Sequence, residues 1–559
     1  MAAQLGDPLP LGDEHAVSVS LPRWSDTEGW ASRDPAVLAR LQAGYPRFYV
    51  PHIVRLLGEK LVGWAAATPL SAAAQQRKQR LVSGPGQSNT LFPSERTARE
   101  CRRYLASRDG GDGDEALVGV LRFGFQGLVE VVDGAPSACR PPPGRDVYAV
   151  LYPDRLAPEA KAFWQHTGFG ISSRFAAFWL DNAGFLRKKG PAAPDGAVEA
   201  SALQDGGRAA TRSLRQRIAR LYSTAPDNVG VQDVFLFPTG MSAISQAATA
   251  LRSLPGRADG EYRVAVFGFL YVDTFKVLSK VHGFDCVLYG YASSADMDAL
   301  EADLQSGMRI NALFTEFPGN PLLGSLDLDR LYGLAKKHDF AVVVDDTVGT
   351  AVNLNLVPSC DVICTSLTKM FSGACNVMGG SLVLSPQSRR HGAIRAALAD
   401  HDPDTYFPLD AAVMDRNSAD FEERATAASR NASHMAAQLR RHSAVEAVFY
   451  PEGGPTQHLY DRFRRARGGY GYLLSIRFVK PAAAIAFHDA LDVAKGPSLG
   501  TNFTLCCPYT LLAHYSELEW AAKYGVVEHL VRISVGVEKR EVLEALVDRA
   551  LAAAAECCD

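Results

Sequence analysis

The chain has 559 residues, a formal net charge of −3 and a hydrophobic content of 47%. This length predicts several domains, and the ordinary composition predicts a soluble globular protein. The weak net charge provides no basic field for nucleic acid, and no run of about 18 apolar residues predicts a membrane span. The ten cysteines lack metal-ligand spacing. Together with an N-terminus that does not resemble a signal peptide, they favour a reducing, cytoplasmic compartment and no metal site.

Residues 1–183 predict an N-terminal α+β extension, followed by a segment rich in Ala, Gly, Pro and Asp. Alternating or amphipathic patterns in the extension predict strands at 16–21 and 147–152 and helices at 35–41 and 53–67. The composition of residues 184–210 predicts a flexible linker.

Residues 211–400 predict a large domain in which fully apolar strands alternate with helices. That pattern is typical of a mostly parallel sheet covered on both faces. The predicted elements are a helix at 214–221, strands at 234–237, 263–267, 312–316 and 340–345, and helices from Ser242, Asp273 and Asp327. Residues 401–559, with a strand at 472–477, predict a smaller C-terminal α+β domain.

Lys369 is the strongest candidate for a catalytic residue. It lies 24 residues after Asp345, which ends a predicted buried strand, and it is flanked by Ser366 and Thr368. This arrangement is typical of a pyridoxal phosphate (PLP) site. The lysine forms a Schiff base, the carboxylate pairs with the pyridinium nitrogen, and the hydroxyls are available to the phosphate. A surface lysine in a polar loop would have a similar local sequence.

Further candidates follow other predicted strands. Gly240 and Met241 open a helix whose N–H groups could hold a phosphate. Tyr271 could stack on the cofactor ring, although a core tyrosine would look the same. Asn320 could donate to the cofactor's phenolic oxygen or could be a turn residue before proline. Arg532, inside an apolar strand, predicts an anionic partner, either a substrate carboxylate held together with Ser498 or a buried salt bridge.

In order and spacing, residues 212–550 resemble the Cys/Met-metabolism PLP enzymes. The residues that carry this resemblance are Gly240-Met241, Tyr271, Glu316 with Asn320-Pro321, Val344-Asp345 with Thr347, Ser366 with Thr368-Lys369, Val377-Met-Gly-Gly380, Ser498-Leu-Gly500 and Arg532 to Gly536. Within that family the chain resembles the long fungal cystathionine γ-synthases in five further segments. These segments are residues 15–24, 44–48, 170–174, 235–243 and 498–504.

The resemblance implies the α/β architecture of PLP fold-type I, the aspartate aminotransferase-like fold, and an enzyme that joins an O-acylated L-homoserine to L-cysteine to give cystathionine in methionine biosynthesis. It implies that Lys369 and Tyr271 act in catalysis, and that Thr347 helps bind the cofactor. It also implies that Ser498, Arg532 and Asn320 bind the amino-acid substrate. The implied assembly is a homodimer or homotetramer.

Bacterial relatives carry a Tyr-x-Arg pair that reaches the phosphate site of the neighbouring subunit. Two segments here are candidates, Ser172-Ser-Arg174 and Tyr45-Pro-Arg47. We favour Arg174 as a cofactor ligand because its run leads towards the helix that precedes the first strand of the large domain. Phe503 stands where bacterial relatives have a glutamate that helps select the amine-bearing substrate.

Three functions remain open on the sequence alone. The first is cystathionine γ-synthase, using O-acetyl- or O-succinylhomoserine. The second is a PLP γ-substitution enzyme of fungal secondary metabolism that uses a carbon or amine nucleophile. The third is an inactive PLP-fold binding protein, which the intact set of Asp345, Lys369 and Arg532 disfavours.

Overall fold

The structure is a computed structural model that describes residues 3–82, 86–108, 118–133, 144–187, 196–254, 262–400 and 405–558. Within these residues no helix is long and apolar enough to cross a membrane.

The N-terminal region contains an antiparallel four-stranded sheet with helices packed against it. Its elements are β1 Pro8–Leu9, β2 Ser18–Val19, α1 Trp24–Ala31, α2 Pro35–Leu38, α3 His52–Ala67, α4 Ala72–Val82, β3 Gln87–Phe92, α5 Glu95–Ala106, β4 Gly119–Gly124, β5 Val129–Val131, β6 Asp146–Pro153, α6 Ala157–Thr167 and α7 Ser173–Asn182. The sheet order is β3-β6-β4-β5, and every residue of β6 is buried because helices cover the sheet on both faces.

The large domain is built on a seven-stranded sheet in the order β7-β13-β12-β11-β10-β8-β9. Its elements are α8 Gly196–Tyr222, β7 Val234–Phe237, α9 Gly240–Arg252, β8 Arg263–Phe267, α10 Val272–Lys276, β9 Asp285–Tyr289, α11 Ser294–Gln305, β10 Ala312–Glu316, α12 Leu328–His338, β11 Ala341–Asp345, β12 Val362–Ser366, β13 Gly380–Leu384 and α13 His391–Asp400. Strand β13 runs in the opposite direction to the other six strands of this sheet. The predicted mostly parallel α/β sheet is therefore confirmed.

The C-terminal region folds around a second, five-stranded sheet in the order β14-β15-β18-β17-β16. Its elements are α14 Pro408–Asn417, α15 Phe421–Leu439, β14 Val445–Phe449, α16 Gln457–Asp461, β15 Leu473–Phe478, α17 Pro481–Ala490, β16 Ala494–Lys495, β17 Leu505–Pro508, α18 Tyr509–His514, α19 Leu518–Lys523, β18 Val531–Ser534 and α20 Arg540–Ala555. Helices α15, α17 and α20 cover one face of this sheet.

The predicted linker differs from the structure over its second half. Helix α8 begins at Gly196, well inside the range 184–210, while residues 188–195 lie outside the described part of the chain. The run of alanines there has high helix propensity, which the linker prediction gave too little weight. Further along the helix, Ser213 donates to Asp415 of α14 at 2.7 Å. The helix is therefore anchored to the C-terminal region.

Candidate active site

A cavity lies where the parallel strands of the large domain end. Parallel strands point their carboxyl ends to one edge of the sheet, and ligands of such folds bind outside that edge. All the site residues predicted from the sequence line this cavity, with the exception of Arg174. They are Gly240, Met241, Tyr271, Asn320, Asp345, Thr347, Ser366, Thr368, Lys369, Ser498 and Arg532.

Lys369 is buried in the floor of the cavity, three residues beyond the end of β12. Its Nζ donates hydrogen bonds to Tyr45 Oη and Ser498 Oγ, each at 2.9 Å. The two hydroxyls come from the N-terminal and C-terminal regions. The amine therefore sits at the junction of all three regions of the chain.

Asp345 ends β11, and its carboxyl group is oriented by the residues that follow it. Its Oδ1 accepts the Thr347 amide at 2.8 Å, and Thr347 Oγ1 in turn accepts the Ser366 amide at 2.8 Å. Burial raises the pKa of Asp345, while hydrogen bonds from Thr347 and the positive charge of Lys369 oppose this rise. A nearby cation in the cavity would favour the ionised form further.

Glu316 links two of the predicted ligands. Its Oε1 accepts the Tyr271 amide at 2.5 Å, and its Oε2 accepts the Asn320 amide at 3.0 Å. Burial raises the pKa of this carboxyl group, and the nearby Asp345 adds to the rise. Both carboxyl oxygens are engaged by backbone amides, so Glu316 fixes the loops after β8 and β10 relative to each other.

Arg532 in β18 forms no ion pair among the described residues, contrary to the salt-bridge alternative. Its Nη1 donates to Asn320 Oδ1 at 3.0 Å, and its Nη2 donates to the Ser498 carbonyl at 2.9 Å. The guanidinium also faces the Tyr509 ring at 4.6 Å. A buried cation held only by neutral groups can accept an anionic ligand.

The structure separates Arg174 from the other predicted ligands. Arg174 Nη1 pairs with Asp410 at 2.7 Å, and its Nη2 donates to the Asn376 carbonyl at 3.1 Å, in a neighbouring cavity. Of the two candidate segments, the one that lines the main cavity is Tyr45-Pro-Arg47, through Tyr45 and Arg47. Within this chain Arg174 therefore does not line the main cavity. Its predicted role at the phosphate site of a neighbouring subunit stays a prediction.

Comparison with known proteins identifies the family. A family model described as Cys/Met metabolism PLP-dependent enzyme matches residues 207–552, more than half of the chain. The chain belongs to this family. A second model, described as the N-terminal domain of fungal trans-sulfuration enzymes, matches residues 69–172. The cofactor of the family is pyridoxal phosphate.

Individual relatives match over nearly the whole chain. A cystathionine gamma-synthase of Neurospora crassa is 35% identical over 99% of both chains. A cystathionine gamma-synthase-like enzyme of Amanita muscaria is 37% identical over 98% of this chain and 97% of its own. The crystal structure of cystathionine gamma synthase from Xanthomonas oryzae pv. oryzae has a TM-score of 0.55 and 24% identity. It covers 63% of this chain and 88% of that one, and it supports the fold alone.

The cavity has groups that fit this cofactor. Gly240 begins α9 so close to the end of β12 that a Cβ there would lie 2.7 Å from Ser366 Cβ, so glycine allows the first turn of the helix and Ser366 to line the cavity side by side. The hydroxyl of Tyr271 and two nitrogens of Arg47 are buried without a hydrogen-bond partner among the described residues. Such orphan groups are costly unless a ligand satisfies them.

Sequence reasoning passed over several residues that line the cavity. Tyr509 belongs to none of the motifs found in the sequence, yet its hydroxyl accepts a hydrogen bond from Asn320 Nδ2 at 3.3 Å. Phe48 also lines the cavity, whereas Phe503 does not. The signals for Tyr45 and Arg47 were their Tyr-x-Arg form and the resemblance of residues 44–48 to the long fungal enzymes, a resemblance that residues 170–174 share.

Proposed function

We propose that the protein is a PLP-dependent γ-replacement enzyme that joins an O-acylated L-homoserine to L-cysteine, giving L-cystathionine and the free acyl acid. Support comes from the relatives named above and from one observation. Lys369, Asp345 and the unpaired cation Arg532 converge on a single buried cavity. The first two fit the cofactor, and the third fits the α-carboxylate of an amino acid.

The proposed substrate anchor is Arg532. Its two Nη groups are already oriented by Asn320 and the Ser498 carbonyl, so a carboxylate can bind without reorganisation of the guanidinium. The planar fork matches the two oxygens of a carboxylate. This anchor would fix the α-carbon of the substrate near Lys369.

Asp345, Tyr271, Thr347, Ser366 and Thr368 are the proposed cofactor-holding groups, together with the amides of Gly240 and Met241. When bound, the cofactor supplies an electron sink for bonds broken next to the substrate's amino-bearing carbon.

Lys369 is the proposed proton carrier. Its Nζ would carry one proton at a time. It would take the proton from Cα of the acylhomoserine, pass it on, and only then take one from Cβ. The acyl carboxylate would leave Cγ with the electrons of its C–O bond, the cysteine sulfur would form the new C–S bond at Cγ, and the thiol proton would leave with the released acyl acid. Lys369 would then return protons to Cβ and Cα. The hydroxyls of Tyr45 and Ser498 hold Nζ in place for these transfers.

The experiment is a product assay with the purified holoenzyme. The protein is incubated with O-acetyl- or O-succinylhomoserine, with and without cysteine, and the products are identified by mass. Cystathionine that forms only when cysteine is present, and not with Lys369→Ala, would support the proposal. Consumption of neither ester would contradict it.

One observation favours a second candidate, a γ-substitution enzyme with a carbon or amine nucleophile. The carboxylates that line the described cavity are Glu316, with both oxygens engaged, and Asp345, which is the proposed partner of the cofactor nitrogen. Phe503 does not supply the acidic group that bacterial relatives have. No carboxylate in the described cavity is therefore left for the ammonium group of cysteine. Consumption of an acylhomoserine without cystathionine formation, followed by a screen of carbon and amine nucleophiles, would support this candidate.

We further propose that the enzyme works in the cytoplasm as a homodimer or homotetramer. The family resemblance supports the assembly, and light scattering of the purified holoenzyme would test it.

A further inference from the structure

Asp273 is a buried carboxylate that the proposed reaction does not use. It lies in the first turn of α10, two residues after Tyr271, and its side chain is 0% exposed. His166 Nδ1 lies 2.8 Å from its Oδ1, and Gln165 Nε2 donates to the same oxygen at 3.2 Å. Both of these residues belong to α6 of the N-terminal region. A carboxylate so enclosed needs a compensating charge.

The compensating cation is Arg47, which also belongs to the N-terminal region. Its Nη2 lies 3.6 Å from Asp273 Oδ2, close enough for ion pairing but too long for a hydrogen bond. Nε and Nη2 of Arg47 and Oδ2 of Asp273 have no hydrogen-bond partner among the described residues. The carboxylate therefore holds the guanidinium by charge while leaving its donors available.

The third nitrogen of the Arg47 guanidinium, Nη1, lies beside the first turn of α9. Gly168 ends α6 in a left-handed conformation with φ of +68°. A Cβ at Gly168 would collide with both Arg47 Nη1 and Thr239 Oγ1. Thr239 is the N-cap of α9, the helix whose N-terminus faces the cavity. Asp273, Gly168 and Thr239 thus surround Arg47 at the anion-binding end of this helix.

We propose that Asp273 is a positioning residue that orients Arg47 towards the cofactor phosphate, and that His166 holds Asp273 in place for this purpose. The inference rests on the proposed cofactor site, since it takes Arg47 as a phosphate ligand there. It gives the N-terminal region a defined task, which is to supply a pre-oriented cation to a site built mainly by the large domain.

The alternative is that Asp273 acts on the phosphate only through its negative charge. That alternative predicts the opposite change in phosphate binding when the charge is removed. A carboxylate near an anion site repels the anion. If Asp273 acted only through its charge, Asp273→Asn would tighten phosphate binding. If it orients Arg47, the same change lets the guanidinium move and weakens phosphate binding. The asparagine retains an oxygen that can accept from His166.

The experiment measures binding of PLP and of pyridoxal, which lacks the phosphate, to the apoenzyme by fluorescence titration. The variants are Asp273→Asn, Arg47→Ala and the double variant. Asp233→Asn is the matched control, because Asp233 is also buried and also pairs with a histidine, His391, at 2.8 Å. We expect Asp273→Asn to raise the Kd of PLP about tenfold and to leave that of pyridoxal unchanged. The double variant should bind PLP no more weakly than Arg47→Ala, and the control should bind both ligands normally.

Three results would overturn the inference. They are an unchanged or tighter binding of PLP by Asp273→Asn, an equal weakening for PLP and pyridoxal, and additive losses in the double variant. If Arg47→Ala itself bound PLP normally, both this inference and the phosphate role of Arg47 would fall. If Asp273→Asn bound PLP normally but Arg47→Ala did not, this inference would fall and the proposed cofactor site would stand.

A second variant covers the case in which Asp273→Asn does not fold. His166→Gln leaves the carboxylate and its pairing with Arg47 in place but weakens the support behind Asp273. A rise in the Kd of PLP of about threefold, with no change in the Kd of pyridoxal, would support the inference. Equal binding of PLP by His166→Gln and the unmodified protein would overturn it.

Discussion

The large domain and the N-terminal region contribute to the same cavity in different ways. The large domain supplies groups at the ends of successive strands, such as Lys369 three residues after β12 and Thr347 two residues after β11. The N-terminal region supplies Tyr45 and Arg47 from a loop between α2 and α3. The first contribution follows from the topology of a parallel sheet. The second depends on how separate regions of the chain pack. Substitutions at four places should distinguish the two contributions.

The largest effect is expected at Lys369. Lys369→Ala should lower turnover about a thousandfold or more, because the chain loses both the cofactor's attachment point and the proton carrier. Borohydride reduction followed by peptide mapping should find no lysine adduct in this variant. Lys336→Ala, in α12 of the same domain, should retain the adduct at Lys369. An adduct at another lysine in Lys369→Ala would contradict the assignment.

A smaller loss of activity is expected when Arg532 is substituted. Arg532→Ala should lower kcat/KM by about 30- to 1000-fold, because it removes a bidentate charge-assisted pair with the substrate carboxylate. Arg532→Lys should also be poor, since an ammonium group cannot reproduce the fork.

Arg477 provides the matched control for this change. It lies in the neighbouring strand β15 and pairs with Glu446 at 2.9 Å. Steady-state kinetics of Arg477→Ala should stay within about twofold of the unmodified enzyme, as is usual for a surface pair. An equal loss in both variants would remove the case for a specific anchor.

The two candidate arginines of the N-terminal region, Arg47 and Arg174, should respond differently to substitution. Arg47→Ala should weaken PLP binding about 10- to 100-fold, because a charge-assisted contact with the phosphate is lost. Arg174→Ala should bind PLP normally but unfold more easily, by about 3 kcal/mol, because Asp410 is left buried without its partner. Cofactor titration and denaturant unfolding of both variants measure this contrast. Weaker PLP binding by Arg174→Ala alone would support the role predicted for Arg174 from the sequence.

The smallest effect is expected at Tyr45. Tyr45→Phe removes one hydrogen bond to Lys369 Nζ and keeps the ring, so kcat/KM should fall about fivefold. Tyr49→Phe, in the same loop, should leave kcat/KM unchanged, because Tyr49 does not line the cavity. Equal kinetics for Tyr45→Phe and the unmodified enzyme would mean that the hydroxyl does not hold Lys369.

These contrasts show where prediction from the sequence succeeds. The strand at 234–237 and the one at 312–316 have the predicted bounds, because short, mainly apolar runs between turns favour buried strands. Site residues that follow such strands are then brought together by the sheet. The place of Arg47 in the cavity could not be predicted in the same way, because it lies in the loop between α2 and α3, whose position is set by packing between distant segments. The helix that begins at Gly196 was missed because its composition also suits a linker.

The most direct test of the shared cavity asks whether one chain builds a complete site. Arg47→Ala and Lys369→Ala proteins, carrying different tags, are mixed, and hybrid oligomers with both tags are isolated and assayed for turnover. Tyr45, Arg47 and Lys369 of a single chain line one cavity here. In a hybrid, the site of the Lys369→Ala chain should therefore be as inactive as in the Lys369→Ala protein. The site of the Arg47→Ala chain should be as impaired as in the Arg47→Ala protein, so turnover should not recover. Recovery of activity in the hybrid would mean that Arg47 serves the site of a neighbouring chain, which would contradict the arrangement described above.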